Sequence, residues 1–267
     1  MKKQQKQETH EIDEFENYCH LWNIVPSGKG VGIVLLRKII DAIHTDNYSS
    51  PGNILPSFLI TGKEGKKLVA KALVNSLKIE DVRTCPAQYF DNGIPSYEFF
   101  WDSLTNTAHI ITDIEQLNKR AEPTLWKYLK NRRCSYYNNT TRAYDNILHC
   151  NGLIILTAGN TNSIPDTIKK AIDYIIELEP FTIDQLEAVI HQRLFFCGVE
   201  YDGEEVLKEI VNIGKGSMEL IIPFLKKCLM LVKSEIGECL TMGIVNRSKR
   251  ISQVGQLPPP IGDDIPF

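Results

Sequence analysis

The sequence predicts an α/β protein: a parallel sheet flanked by helices, then a small all-helical domain and a flexible C-terminal tail. Three observations predict it. Short buried apolar runs, Phe58 to Ile60 and Gly152 to Asn160, alternate with segments of helical spacing, which is the pattern of a parallel sheet with helical crossovers. After Pro180 such runs give way to helical segments with start and stop signals. The last thirteen residues, GQLPPPIGDDIPF, hold four prolines and two glycines, a composition that cannot continue a helix.

The elements follow in order. Residues 1–13 are polar and read as a disordered N-terminus, and 14–25 carry aromatic and apolar anchors. VGIVLLRKIIDAIH (31–44) has helical periodicity, and DNYSSPGN (46–53) is a loop. A short strand at Phe58–Ile60 leads to an amphipathic helix over 66–77, and 79–83 is a candidate strand. TAHIITDIEQLNKR (107–120) reads as strand and turn, AEPTLWKYLKN (121–131) as helix, and 152–160 as the clearest buried strand. Ile164-Pro165-Asp166 then opens a further helix within 164–178. In the second half, Thr182 is the expected cap of one helix and Gly198 its stop. GEEVLKEIVNIGKG is a second helix, and SMELIIPFLKKCLMLVKSEI, capped by Ser217, is a third. Pro223 should kink that third helix or be absorbed in its first turns. The expected domains are therefore 14–180 (α/β), 181–245 (helical) and 246–267 (tail).

Composition narrows the function classes. The chain has 267 residues, 43% hydrophobic and 24% charged, which is ordinary for a globular protein. No apolar run approaches the roughly 18 residues of a membrane helix, and the charged N-terminus has no apolar core of a signal peptide. A cytoplasmic protein without a membrane partner is the expectation. Seven cysteines (19, 85, 134, 150, 197, 228, 239) occur singly, so neither a zinc site nor a redox pair is expected. A net charge of −3 confines any nucleic-acid surface to a local patch.

LITGKEGKKLVAKAL, residues 59–73, carries the first functional signal. A phosphate-binding loop needs a buried strand, G-x-x-x-x-G-K-[ST], and a helix. Here Gly62, Gly65 and Lys66 are in place, but the loop is two residues too short and Lys67 replaces the hydroxyl. By itself this is a weak signal that a surface turn would also satisfy. Its weight comes from the order of the segments after it. A strand ends in an acidic turn at Asp113 and Glu115, another ends in Asn160, and Ile164-Pro165-Asp166 then leads to helices.

That order resembles the AAA+ ATPase module over roughly residues 14–235. It is most similar to clamp-loader subunits and to the motor of the Holliday-junction branch-migration helicase. The resemblance implies roles position by position. Lys66 falls on the family's phosphate lysine and Lys67 on its magnesium-binding Ser/Thr. Thr112 and Asp113 fall on the paired Asp and Glu; shifted by one residue, Asp113 becomes the metal ligand with no Glu behind it. Asp113 and Glu115 also read as solvated turn residues. Asn160 fits the polar sensor, although an Asn after a buried strand is an ordinary turn former too. Ala171 stands at the arginine finger, and Met218 or Glu219 at the second sensor arginine. Loop length, hydroxyl, carboxylate pair, finger and second sensor all depart from the pattern. The implied protein keeps the fold without ATP hydrolysis. No metal or cofactor is expected; ATP and magnesium enter only if Lys66, Asp113 and Asn160 support an atypical ATPase.

KNRRCSYYNNTTR (130–142) gathers Lys130, Arg132, Arg133 and Arg142 with Tyr136 and Tyr137. Cations take phosphates and tyrosines stack on bases, so this stretch is the candidate DNA contact; a solvated loop is the other reading. It lies where the branch-migration motor carries a hairpin. Arg247, Lys249 and Arg250 form a second, weaker patch.

Asp263-Asp264-Ile265-Pro266-Phe267 resembles the acidic tip of bacterial single-stranded-DNA-binding proteins, presented after a linker with proline and glycine. That family's tip docks genome-maintenance proteins, which become the expected partners. Phe267 would supply a ring for an apolar pocket and a terminal carboxylate for a basic group at its rim. Pro266 lowers the ordering cost, Ile265 adds apolar contact, and Asp263 and Asp264 steer the tip to a basic surface. The overall expectation is a catalytically inactive AAA+-like protein of bacterial DNA replication, recombination or repair. Its rivals are the atypical ATPase and a phage or mobile-element protein that diverts host replication factors. Homo- and hetero-oligomers both stay open.

Overall fold

The computed structural model describes residues 21–45, 54–88, 107–138, 143–149, 151–234 and 239–254. They form two compact units that divide between Phe181 and Thr182, one residue from the expected boundary.

The first unit is built on five parallel strands. These are β1 (Ser57–Thr61), β2 (Asp81–Pro86), β3 (Thr107–Thr112), β6 (Leu153–Ala158) and β7 (Tyr174–Glu177), in the spatial order β2-β3-β6-β1-β7. β1, β3 and β6 are buried along their whole length. That is why they read as continuous apolar runs: helices cover both faces. Successive residues point to opposite faces, and two apolar layers result. Phe58, Ile60, Ala108, Ile110, Leu153 and Ile155 pack with α1 (Val31–Thr45) and α2 (Lys66–Ser76). Leu59, Ile111, Ile154, Leu156 and Ala158 pack with α3 (Glu122–Asn131) and α4 (Asp166–Lys169). In α1, Ile33, Leu36, Ile40 and Ile43 repeat at helical spacing and are all buried. Each such side chain contributes about 1.5–3 kcal/mol when buried.

Two expectations change here. The helix expected within 164–178 is only the four residues of α4; Tyr174–Glu177 is instead the edge strand β7, paired with β1 from Phe58↔Tyr174 to Thr61↔Glu177. Tyr174, Ile175 and Ile176 favour an extended backbone, and the unpaired side of β1 offers them a ladder. The stretch after α3 is a two-stranded antiparallel ribbon, β4 (Arg133–Asn138) with β5 (Ala143–His149), not a loop.

A buried polar pair sits beneath the sheet. His109 of β3 is fully buried and hydrogen-bonded through Nδ1 to the Tyr128 hydroxyl. Burial, then the nearby Arg83 guanidinium, depresses its imidazole to about 4.

The second unit holds α5 (Ile183–Phe196), α6 (Glu204–Ile213), α7 (Met218–Ser234) and α8 (Met242–Val254). Thr182 caps α5 in a reciprocal capping box with Gln185. Gly198, with φ of 64°, follows its end as expected. Ile190, Leu194, Val206, Ile210, Ile221, Leu225 and Val245 are buried. The domain is not purely helical: β8 (Glu200–Tyr201) pairs in parallel with β9 (Cys239–Leu240). The helical region also runs past 245, since α8 continues to Val254; the tail expected from 246 begins beyond it. Among the described residues no helix is long and apolar enough to cross a membrane.

Candidate nucleotide-site edge and basic ribbon

Ligands of parallel α/β sheets sit off the carboxyl ends of the strands. β3, β6 and β1 are neighbours, so Asp113, Asn160 and Gly62 leave the sheet at one edge, and hydrogen bonds link their loops. Gly62 N donates to Ala158 O at 3.2 Å, and Gly159 N donates to Glu115 Oε1 at 2.9 Å.

The glycine loop closes directly onto α2. Gly65 is its first cap, in left-handed geometry with φ of 79°, and Lys66 is the first helical residue. Lys66 is half-buried; Lys63 and Lys67 are exposed. A segment after β7 packs against this loop. Leu178 N donates to Thr61 O at 2.7 Å, and a Cβ on Gly62 would lie 2.8 Å from Leu178 Cβ. A Cβ on Gly65 would lie 3.7 Å from the Phe181 ring. The short loop is thus packed against chain at both glycines.

Carboxylates at this edge already hold donors. Thr161 Oγ1 donates to Glu177 Oε1 at 2.5 Å and lies 3.0 Å from Thr61 Oγ1. Glu179 accepts from the Lys29 backbone N–H just before α1. Glu115 accepts from Gly159 as above. Three acids therefore stand near three lysines, which reduces the pull that the lysines alone would exert on an anion. Sequence reasoning missed Glu177, Glu179 and Thr161, because they gather here only once 174–177 becomes a strand.

The remaining sensor positions have plain structural occupations. Asp113 lies in left-handed geometry (φ 56°) at the end of β3 and caps the turn Ile114–Gln116. Asn160 Oδ1 accepts from Asn162 N at 2.6 Å and Ser163 N at 3.3 Å, holding the turn Thr161–Ser163. Ala171 is buried in the core. In the second unit Met218 is buried and Glu219 exposed.

The ribbon pairs Tyr136 with Asp145 and Tyr137 with Tyr144, with a register shift between Cys134 and Tyr136. Lys130 is exposed on the last turn of α3. Arg132 corrects the expectation of a DNA contact. It takes left-handed geometry (φ 52°) as the C-cap of α3 and is only 7% exposed. Its guanidinium donates to Gly152 O at 3.1 Å and Leu55 O at 2.7 Å, and lies 3.6 Å from Asp173 Oδ2. A group so engaged does not reach out to a phosphate. Arg142 and the tip Asp263–Phe267 lie outside the described residues. In the second patch, Lys249 pairs with Glu209 at 3.1 Å, and Arg247 and Arg250 are exposed on α8.

Strand order, loop placement and the following helical unit define the class: this is the AAA+ fold. Solved structures similar to the chain include RuvB of Thermotoga maritima. A point mutant of it superposes with a TM-score of 0.66 at 14% identity, covering 85% of this chain and 71% of that one. The RuvB Holliday junction branch migration motor gives 0.63 at 14% identity, over 84% and 70%. At this identity the likeness shows the fold alone. No protein-family model and no curated protein matches the chain.

Proposed function

We propose that the chain is a AAA+-type protein of DNA replication, recombination or repair that works by binding and not by ATP turnover. The observation that carries this reading is the glycine loop. It passes from Gly62 to the first residue of α2 in four steps, it is packed against Leu178, and Lys67 occupies the magnesium-ligand position. A working loop wraps the phosphates with its backbone and offers a hydroxyl to magnesium. Neither Lys67 nor Ala171 can supply the missing chemistry. The likeness to a Holliday junction branch migration motor supports a DNA context. The tyrosine-bearing ribbon beside Lys130 supports DNA contact, and Asp263–Phe267 supports docking on a genome-maintenance protein.

Purified protein is assayed for phosphate release with and without DNA. The expected result is background turnover. Activity that disappears in Lys66→Ala would establish the rival atypical ATPase, which Lys66, Asp113 and Asn160 favour by leaving one sheet edge together. Affinity capture from a bacterial lysate, with the full chain and with Phe267 deleted, tests the tip. Equal capture by both would remove it from the reading.

A further inference from the structure

At the opposite edge of the sheet from the glycine loop there is a pocket of about 590 Å³. It is formed where β1 and β7 begin, against the last turns of α1 and α3. This volume is in the range that holds a small ligand or a few side chains. Ile43, Pro56 and Leu129 give it apolar walls. Tyr174, 38% exposed, opens onto it with its ring stacked on Phe58 at 5.4 Å. Ile54, 50% exposed, adds a further apolar wall. The polar side is cationic. Lys38 and Lys130 are both exposed among its lining residues, and Arg132 lies within it. The one lining carboxylate, Asp173, faces inward: its Oδ2 accepts from Ser57 N and Ser57 Oγ, both at 2.7 Å, and lies near Arg132.

We infer that this pocket is the seat of the chain's own Asp263-Asp264-Ile265-Pro266-Phe267. Apolar walls with an exposed aromatic ring suit Ile265, Pro266 and Phe267, and ring pairs add attraction beyond burial. Two exposed lysines match Asp263 and Asp264 in number and in sign. Eight residues, 255–262, separate Val254 of α8 from Asp263. Fully extended they span roughly 28 Å, a spacer that frees the tip from its helix. The pocket binds weakly enough to release the tip when a partner competes, because exposed ion pairs are worth little each. The protein thereby shields its docking segment until a partner is present. This inference rests on the proposed reading of the tip as a ligand.

The test uses the purified full-length chain with p-benzoylphenylalanine at position 267, irradiated and mapped by mass spectrometry. Cross-links are expected on the peptides carrying Ile43, Pro56 and Leu129. Mixing light and ¹⁵N-labelled chains tells which copy supplies the tip, and either pattern supports the inference. Lys38→Glu with Lys130→Glu should cut the yield about tenfold, at roughly threefold per ion pair. Adding Asp263→Lys and Asp264→Lys should restore it. Cross-links elsewhere or none at all, or a yield that ignores the charge exchange, would overturn the inference. Because no partner protein is present, such a failure leaves lysate capture by the tip intact and is distinguishable from failure of the proposed function.

Discussion

Single side chains in this protein are governed by their surroundings more than by their type. His109 is the clearest case. Its folded-state imidazole, at about 4, lies below the ordinary 6.5 of an unfolded chain. Burial dominates the shift, Arg83 and Arg132 reinforce it, and Asp81 opposes it. Below 6.5 the unfolded chain takes up a proton that the folded chain refuses. The stability that His109 contributes is therefore complete above pH 6.5 and lost as pH falls towards 4, by roughly 3 kcal/mol. Urea midpoints between pH 7.5 and 4.5 should fall more steeply for the wild type than for His109→Gln. Equal slopes would mean that the imidazole already takes its proton in the folded state. Arg132 teaches the same lesson from the sequence side. In KNRRC it reads as one more exposed cation, and nothing in that string announces a left-handed C-cap. Only the approach of Leu55 O and Gly152 O from distant parts of the chain turns it inward.

Elements were legible where their own periodicity fixed them. Helix 31–45, the strands at 57–61 and 153–158, and the capped helix after Thr182 could be read directly. β7 could not, because IKKAIDYII fits a helix locally, and its ladder is supplied by β1, more than a hundred residues earlier. The ribbon β4–β5 escaped for a similar reason: its pairing is not visible within either strand. The candidate site was half legible. Gly62, Lys66, Asp113 and Asn160 were correctly found near strand ends, while the acids that face them depend on β7. The same strand explains why Gly62 is a glycine, since Leu178 leaves no room for a Cβ. Gly62→Ala should cost about 1–3 kcal/mol, seen as a lower denaturant midpoint at unchanged slope. An unaltered midpoint would mean that Leu178 yields freely and that the loop is not held closed.

For the whole molecule, the net charge of −3 makes any DNA affinity depend on a few local cations. Binding should be weak and steeply salt-dependent. Arg133→Glu with Arg142→Glu should flatten the log–log salt slope by about 0.7–0.9 for each phosphate that is no longer neutralised. A slope identical to that of the wild type would place the DNA surface elsewhere, with the α8 cations Arg247 and Arg250 the next to test. A fold shared with a branch migration motor does not by itself carry the motor's chemistry; loop length and the charges around it decide that.

Arg132 gives the molecule a mechanical property. It stands at the joint between α3 and the ribbon, and its guanidinium reaches the residues just ahead of β1, β6 and β7. One side chain thus rivets the floor of three adjacent strands to the base of a projecting lever. Tension on the ribbon passes into the sheet through that rivet, across strands that shear together, and not through the α3 helix alone. Arg132→Met keeps much of the bulk and removes the rivet, so it would uncouple lever from floor while leaving both in place.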